Sequence, residues 1–127
     1  MSRQDTSDPQ VFRLLAGDGF DVRSGRHGST ATVYRDKNIE AVCVTKDREE
    51  IDLDWFTQRQ VDLIVQLQGQ LKVEFERDEL ADSILEPGDL IVLPRNTRCR
   101  AYRWPRDAVH ASVFFAVYPI NDEQQAS

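Results

Sequence analysis

Histidine and cysteine, two of the commonest transition-metal ligands, are nearly missing from this 127-residue chain, which has two of each. The cysteines, Cys43 and Cys99, stand far apart with no CxxC spacing. That excludes a zinc ribbon or a disulfide framework and leaves two reduced thiols. No apolar run approaches the length of a membrane-spanning helix, and the opening MSRQDTSDPQ lacks the apolar centre of a secretion signal. The expectation is a cytoplasmic protein with no membrane partner. Cations are short as well: 16 Lys and Arg against 22 Asp and Glu give a formal charge of −6. This balance argues against nucleic acid as a partner. The basic stretch RNTRCRAYRWPR does interleave arginines with Tyr102 and Trp104, but alternate arginines on a strand are usually solvated or paired across the sheet. Helical spacing of apolar residues is also absent over any ten-residue stretch, so helix should be scarce.

What the chain does contain is a series of short apolar or alternating runs divided by turn residues. VFRLLA ends at Gly17-Asp18-Gly19, TATVYR at Asp36-Lys37-Asn38, and IEAVCVT at Lys46-Asp47. EIDLDW places Ile51, Leu53 and Trp55 on one face, and VDLIVQLQ stops at Gly69. QLKVEFE alternates strictly, with Leu71, Val73 and Phe75 inward. LADSILE, DLIVL, RCRAYRW and AVHASVFFAVY complete the set. Period-two alternation with this punctuation predicts strands, and strands without helical crossovers must pair antiparallel. The predicted fold is all-β: an antiparallel jelly-roll β-barrel with little helix. One domain is expected over 11–120, with flexible tails at 1–10 and 121–127.

Two spacings are more specific. In WFTQRQVDLIVQLQG, Asp62 stands seven residues before Gly69. In GDLIVLPRNTRC, Gly88 is followed by five residues and Pro94, and Cys99 comes five positions after the proline. With these motifs residues 50–119 resemble the cupin family of small jelly-roll barrels. Asn96, where the family usually has glycine, also tolerates a left-handed turn. The resemblance implies a metal in the barrel mouth, held by imidazoles and one carboxylate, and the matching positions here are Phe56, Gln58, Asp62 and Cys99. Phe56 cannot ligate and Gln58 is a weak neutral donor. A catalytic transition metal normally takes three protein ligands, so no metal and no cofactor is expected. His27, in SGRHGST, is read as an exposed loop residue, and His110 as a strand residue on the more polar face with Ser112, Phe114, Ala116 and Tyr118. A rebuilt metal site would need one of them to reach Asp62 and Cys99.

Alternation sends Asp62, Ile64 and Gln66 to one side of their strand, and Cys99, Ala101 and Arg103 to one side of theirs. With Phe56 and Gln58 these residues form the candidate ligand pocket. Arg103 either forks onto a ligand carboxylate or neutralises Asp62. Cys99 is either a thiol activated by neighbouring arginines or a small apolar filler in a vacated imidazole position. Because Arg98 and Arg100 alternate to the opposite face, the filler is the expected role. The function expected is a metal-independent barrel binding a small organic molecule. The alternative is a cupin enzyme (isomerase, epimerase, lyase or dioxygenase type) using Asp62 with a non-standard ligand or acid–base set, its second group drawn from Cys99, His110 or a tyrosine. For assembly the resemblance implies a homodimer formed through sheet faces.

Overall fold

The computed structural model describes residues 8–16, 19–48 and 50–120. The expected tail at 121–127 lies outside the described residues, as does that at 1–10 apart from residues 8–10. The described residues form strands and no helix: β1 Asp21–Gly25, β2 Gly28–Arg35, β3 Ile39–Lys46, β4 Phe56–Thr57, β5 Asp62–Gln68, β6 Gln70–Phe75, β7 Ser83–Leu85, β8 Leu90–Leu93, β9 Arg98–Trp104 and β10 Ser112–Pro119. These strands pair antiparallel, in a six-stranded sheet ordered β1-β2-β3-β10-β5-β8 and a four-stranded sheet ordered β4-β9-β6-β7.

The two sheets meet over one core. The larger contributes Val42, Ile64, Leu93, Phe114 and Ala116, and the smaller Leu71, Val73, Leu85 and Cys99. The alternation in QLKVEF buries Leu71 and Val73 as expected, while Lys72 and Glu74 face outward. In the larger sheet the register carries rows across strands: Val42, Ala116 and Ile64 form one, and Val44, Phe114 and Gln66 the next. The turns that hold this arrangement are the ones with unusual spacing. Gly69 has φ 69°, and a Cβ there would lie 2.7 Å from the Ala111 carbonyl oxygen, so only glycine fits the β5–β6 turn. Asn96, at φ 68°, occupies the left-handed position anticipated for it.

Two runs expected as strands are not strands. Within VFRLLA the chain turns, with the Ala16 N–H bonded to the Arg13 carbonyl at 3.2 Å. In EIDLDW the Asp52 carboxylate accepts the Asp54 N–H at 3.0 Å, a local bond that competes with strand pairing. Conversely, β1 (DVRSG) and the two-residue β4 carry too little apolar pattern to be seen in sequence.

The outer face of the small sheet accounts for the basic stretch. Arg98 Nε reaches Glu76 Oε1 at 2.6 Å, and Arg100 Nε reaches Glu74 Oε1 at 2.8 Å. The Arg100 guanidinium also lies 4.1 Å from the Trp55 ring centre and donates to the Leu53 carbonyl at 2.8 Å, which moors the irregular 50–55 segment to the sheet. Lys72 sits 4.3 Å over Trp104. These side chains serve cross-strand pairing.

Candidate functional site

Between the sheets is a cavity of about 300 Å³. Val42, Val44, Ile64, Val73, Leu93, Phe114 and Ala116 make it apolar, and Thr30, Phe56, Asp62, Cys99, Ala101, Tyr118 and Lys46 complete the wall. The register places the polar groups apart. Asp62 begins β5 beside the Tyr118 end of β10, whereas Lys46 ends β3 opposite Ser112 at the other end. Phe56 and Cys99 face each other directly as Cα partners between β4 and β9.

Asp62 is the strongest chemical signal in this wall. Its Oδ1 is buried without a hydrogen-bond partner among the described residues, and burial pushes its carboxyl pKa up to about 6. Beside it the Gln58 amide nitrogen lies 3.6 Å from Cys99 Sγ, while Gln58 Oε1 is also buried without a partner. Cys99 is 1% exposed, and its thiol pKa is raised, chiefly by burial; the Gln58 contact lowers it slightly, and the Asp62 charge raises it. With Arg98 and Arg100 committed to Glu76 and Glu74 on the opposite face, the Gln58 amide is left to favour a thiolate against the larger effect of burial. Tyr118 donates its hydroxyl to Glu40 at 2.9 Å, and burial raises its pKa well above the ordinary range.

The candidate pocket residues therefore divide. Phe56, Asp62, Ile64, Cys99 and Ala101 line the cavity, and Gln58 lies against Cys99 and lines an adjoining hollow with Phe56 and Asp62. Gln66 does not line it. Although it shares the face of Asp62 and Ile64, it sits at the closed β5–β6 turn, 0% exposed, where its amide donates to Gln68 O at 2.8 Å, Gly69 O at 3.1 Å and Ser112 Oγ at 2.9 Å. Buried turn carbonyls need a donor, and Gln66 supplies it. Arg103 neither faces a ligand in this cavity nor pairs with Asp62. It is spent on the 105–108 turn, donating to Ala108 O at 2.8 Å and Arg106 O at 2.7 Å.

The histidines also fall elsewhere. His110 precedes β10 rather than lying on it and is exposed; His27, half-buried rather than fully exposed, sits at the β1–β2 hairpin turn. Neither lines the cavity. Among the described residues no group of three or more His, Cys, Asp or Glu is placed to hold a metal ion. At the positions the resemblance assigns to a metal, an aromatic ring, an amide, a carboxylate and a buried thiol do not make a donor set for one.

Two ionisable lining residues lay outside the pocket expected from sequence. Tyr118 lies on the more polar face of β10, which turns out to be the inward one: Ser112, Phe114 and Ala116 are buried on it. Lys46 continues the Val42, Val44 alternation at the end of β3. A lysine in phase with an apolar face was the available signal.

Several solved structures share this architecture. An RmlC-like cupin from Shewanella frigidimarina superposes with a TM-score of 0.63 over 81% of this chain and 86% of that one, at 12% identity. KdgF from Halomonas sp. gives 0.63 over 85% and 95%, at 26% identity. A putative mannose-6-phosphate isomerase from Ralstonia eutropha gives 0.65 over 87% and 98%, at 21% identity. No family model matches the sequence, and no curated protein matches it. At such identities the likeness is one of fold, and function rests on the site.

Proposed function

The chain has the fold of the cupin superfamily, and from that premise we propose that it binds a small organic molecule between its sheets without using a metal. One observation carries this reading: Asp62 Oδ1 and Gln58 Oε1 are buried without partners among the described residues, beside an apolar cavity. Buried polar atoms are nearly always hydrogen-bonded, so such a pair at a hollow marks where a donor from outside belongs. An apolar body with a few oriented polar contacts is also what a small-molecule site requires.

The uncharged aromatic N-phenyl-1-naphthylamine, whose fluorescence rises in apolar surroundings, tests the cavity. It is expected to bind the native chain saturably. Ala101→Phe, which fills the hollow from β9, should weaken it at least about tenfold, or 1.4 kcal/mol, without loss of the folded state. Binding that survives the filled cavity, or no saturable binding at all, overturns the reading.

The same geometry favours one further reading, a proton-transfer enzyme. Asp62, with its pKa near 6, is suited to act as a base near neutral pH, and Cys99 and Tyr118 line the same cavity as a potential second group. His110 drops out of that set, being exposed outside the strand.

Homodimerisation belongs to the proposal too. Outer-face rows of the large sheet are apolar, with Cys43, Phe115, Val65 and Leu90 in one and Ala41, Val117, Leu63 and Val92 in the next. Leu90 and Val92 remain about half exposed at the β8 edge. Sedimentation should give a dimer that the double substitution Leu90→Lys and Val92→Lys converts to monomer. A monomeric parent chain would refute it.

A further inference from the structure

We propose that the ligand is an organic anion whose acid group, a carboxylate, sulfonate or phosphate, is held by Lys46 while its apolar body fills the cavity. The inference rests on the small-molecule reading above and names the class of molecule.

Among the described residues Lys46 is the only basic side chain in the cavity wall, and it stands at the opposite end from Asp62. It stands six positions along β3 from Glu40, which shares its level with Tyr118, so the two ends are about 20 Å apart along the strand. The Lys46 ammonium forms no hydrogen bond or ion pair among the described residues. Burial pushes its pKa down, against a weaker opposing pull from Asp52. A half-buried cation with no direct partner is costly unless an anion meets it.

The surroundings point the same way. The cavity adjoins an outer groove of about 600 Å³ that shares Thr30, Val42, Val44, Lys46 and Tyr118 with it. Arg23 and Arg35 line that groove and form no ion pair among the described residues. The register puts both on the cavity side of the sheet, Arg23 opposite Thr30 and Arg35 opposite Glu40. Arg26, also lining the groove, is already paired with Glu50. The acids of the groove are Glu40, which accepts the Tyr118 hydroxyl, and Asp52 beside Lys46. In a chain whose formal charge is −6, this groove sets one lysine and two arginines outside any ion pair among the described residues against two acids, with Arg23 near the Lys46 end of β3 and Arg35 at the Glu40 end. Such an excess of cations draws anions inward.

The test uses two probes sharing one apolar scaffold: 8-anilinonaphthalene-1-sulfonate, which carries an acid group, and N-phenyl-1-naphthylamine, which does not. The parent chain should bind the sulfonate more tightly. Lys46→Met should weaken the sulfonate at least about tenfold and leave the neutral probe within about twofold, and Lys46→Arg should retain most sulfonate affinity. Raising the salt concentration should weaken the sulfonate alone. If the neutral probe binds the cavity and Lys46→Met leaves sulfonate affinity unchanged, the anion subsite is wrong while the cavity stands. If neither probe binds the parent chain, the small-molecule reading fails, and this inference goes with it.

Discussion

The variant carrying Phe56→His, Gln58→His and Cys99→His is expected to bind one equivalent of zinc or nickel, on the order of a thousandfold more tightly than the parent chain. The backbone supplies the reason. Phe56 and Cys99 are direct partners across β4 and β9, the Gln58 amide already touches Cys99 Sγ at 3.6 Å, and Asp62 shares the wall with Phe56 and Cys99. Three imidazoles would then converge on a carboxylate inside a preformed hollow. Cys99 is 1% exposed, so its larger replacement must grow into the cavity. At metal concentrations a hundredfold above the dissociation constant, the gain in stability is about 2.7 kcal/mol, several degrees in melting temperature. Calorimetric titration and melting with and without metal measure both. Adding Asp62→Ala should remove much of the gain. No uptake by the triple variant would mean that these positions do not converge, and the correspondence with the cupin motifs would fall.

The features legible in sequence were those set by strict alternation and by turns with backbone demands. QLKVEF and DLIVQLQ announce their strands because one residue in two is apolar, and Gly69 and Asn96 announce their turns because ordinary residues avoid positive φ there. Alternation predicts a face but not a depth. Gln66 shares a face with Asp62 and is nonetheless absorbed by the β5–β6 turn, and Arg103 shares one with Cys99 and is absorbed by the 105–108 turn. Those hydrogen bonds depend on how the turns fold back in space, which no one-dimensional period records. β10 held a different lesson. Its less apolar face lines the cavity through Phe114, Ala116 and Tyr118, while the outer face carries Val113, Phe115 and Val117.

Asp62→Asn should stabilise the fold at pH 8 and do little at pH 4. Burial lifts the carboxyl from its ordinary 3.8 to about 6 in the folded chain. Below the lower value both folded and unfolded states hold the proton, and above the upper one both have lost it. Between them the folded state keeps a proton that the unfolded state has released, so stability falls as pH rises from about 4 to about 6 and stays lower above that. A shift of that size corresponds at most to about 3 kcal/mol, and partial exposure of Asp62 to solvent reduces this to about 1–2 kcal/mol. Asparagine has no proton to lose and should escape the penalty. Urea unfolding of parent and variant at the two pH values reads the difference directly. A variant less stable than the parent at pH 8 would mean that the carboxylate is paired in the folded state, and its assignment as a ligand-facing group would be lost. The expected gain has a functional sense: a carboxylate that weakens its own fold at neutral pH, with one oxygen unsatisfied beside an apolar hollow, is placed for a molecule that is not part of the chain.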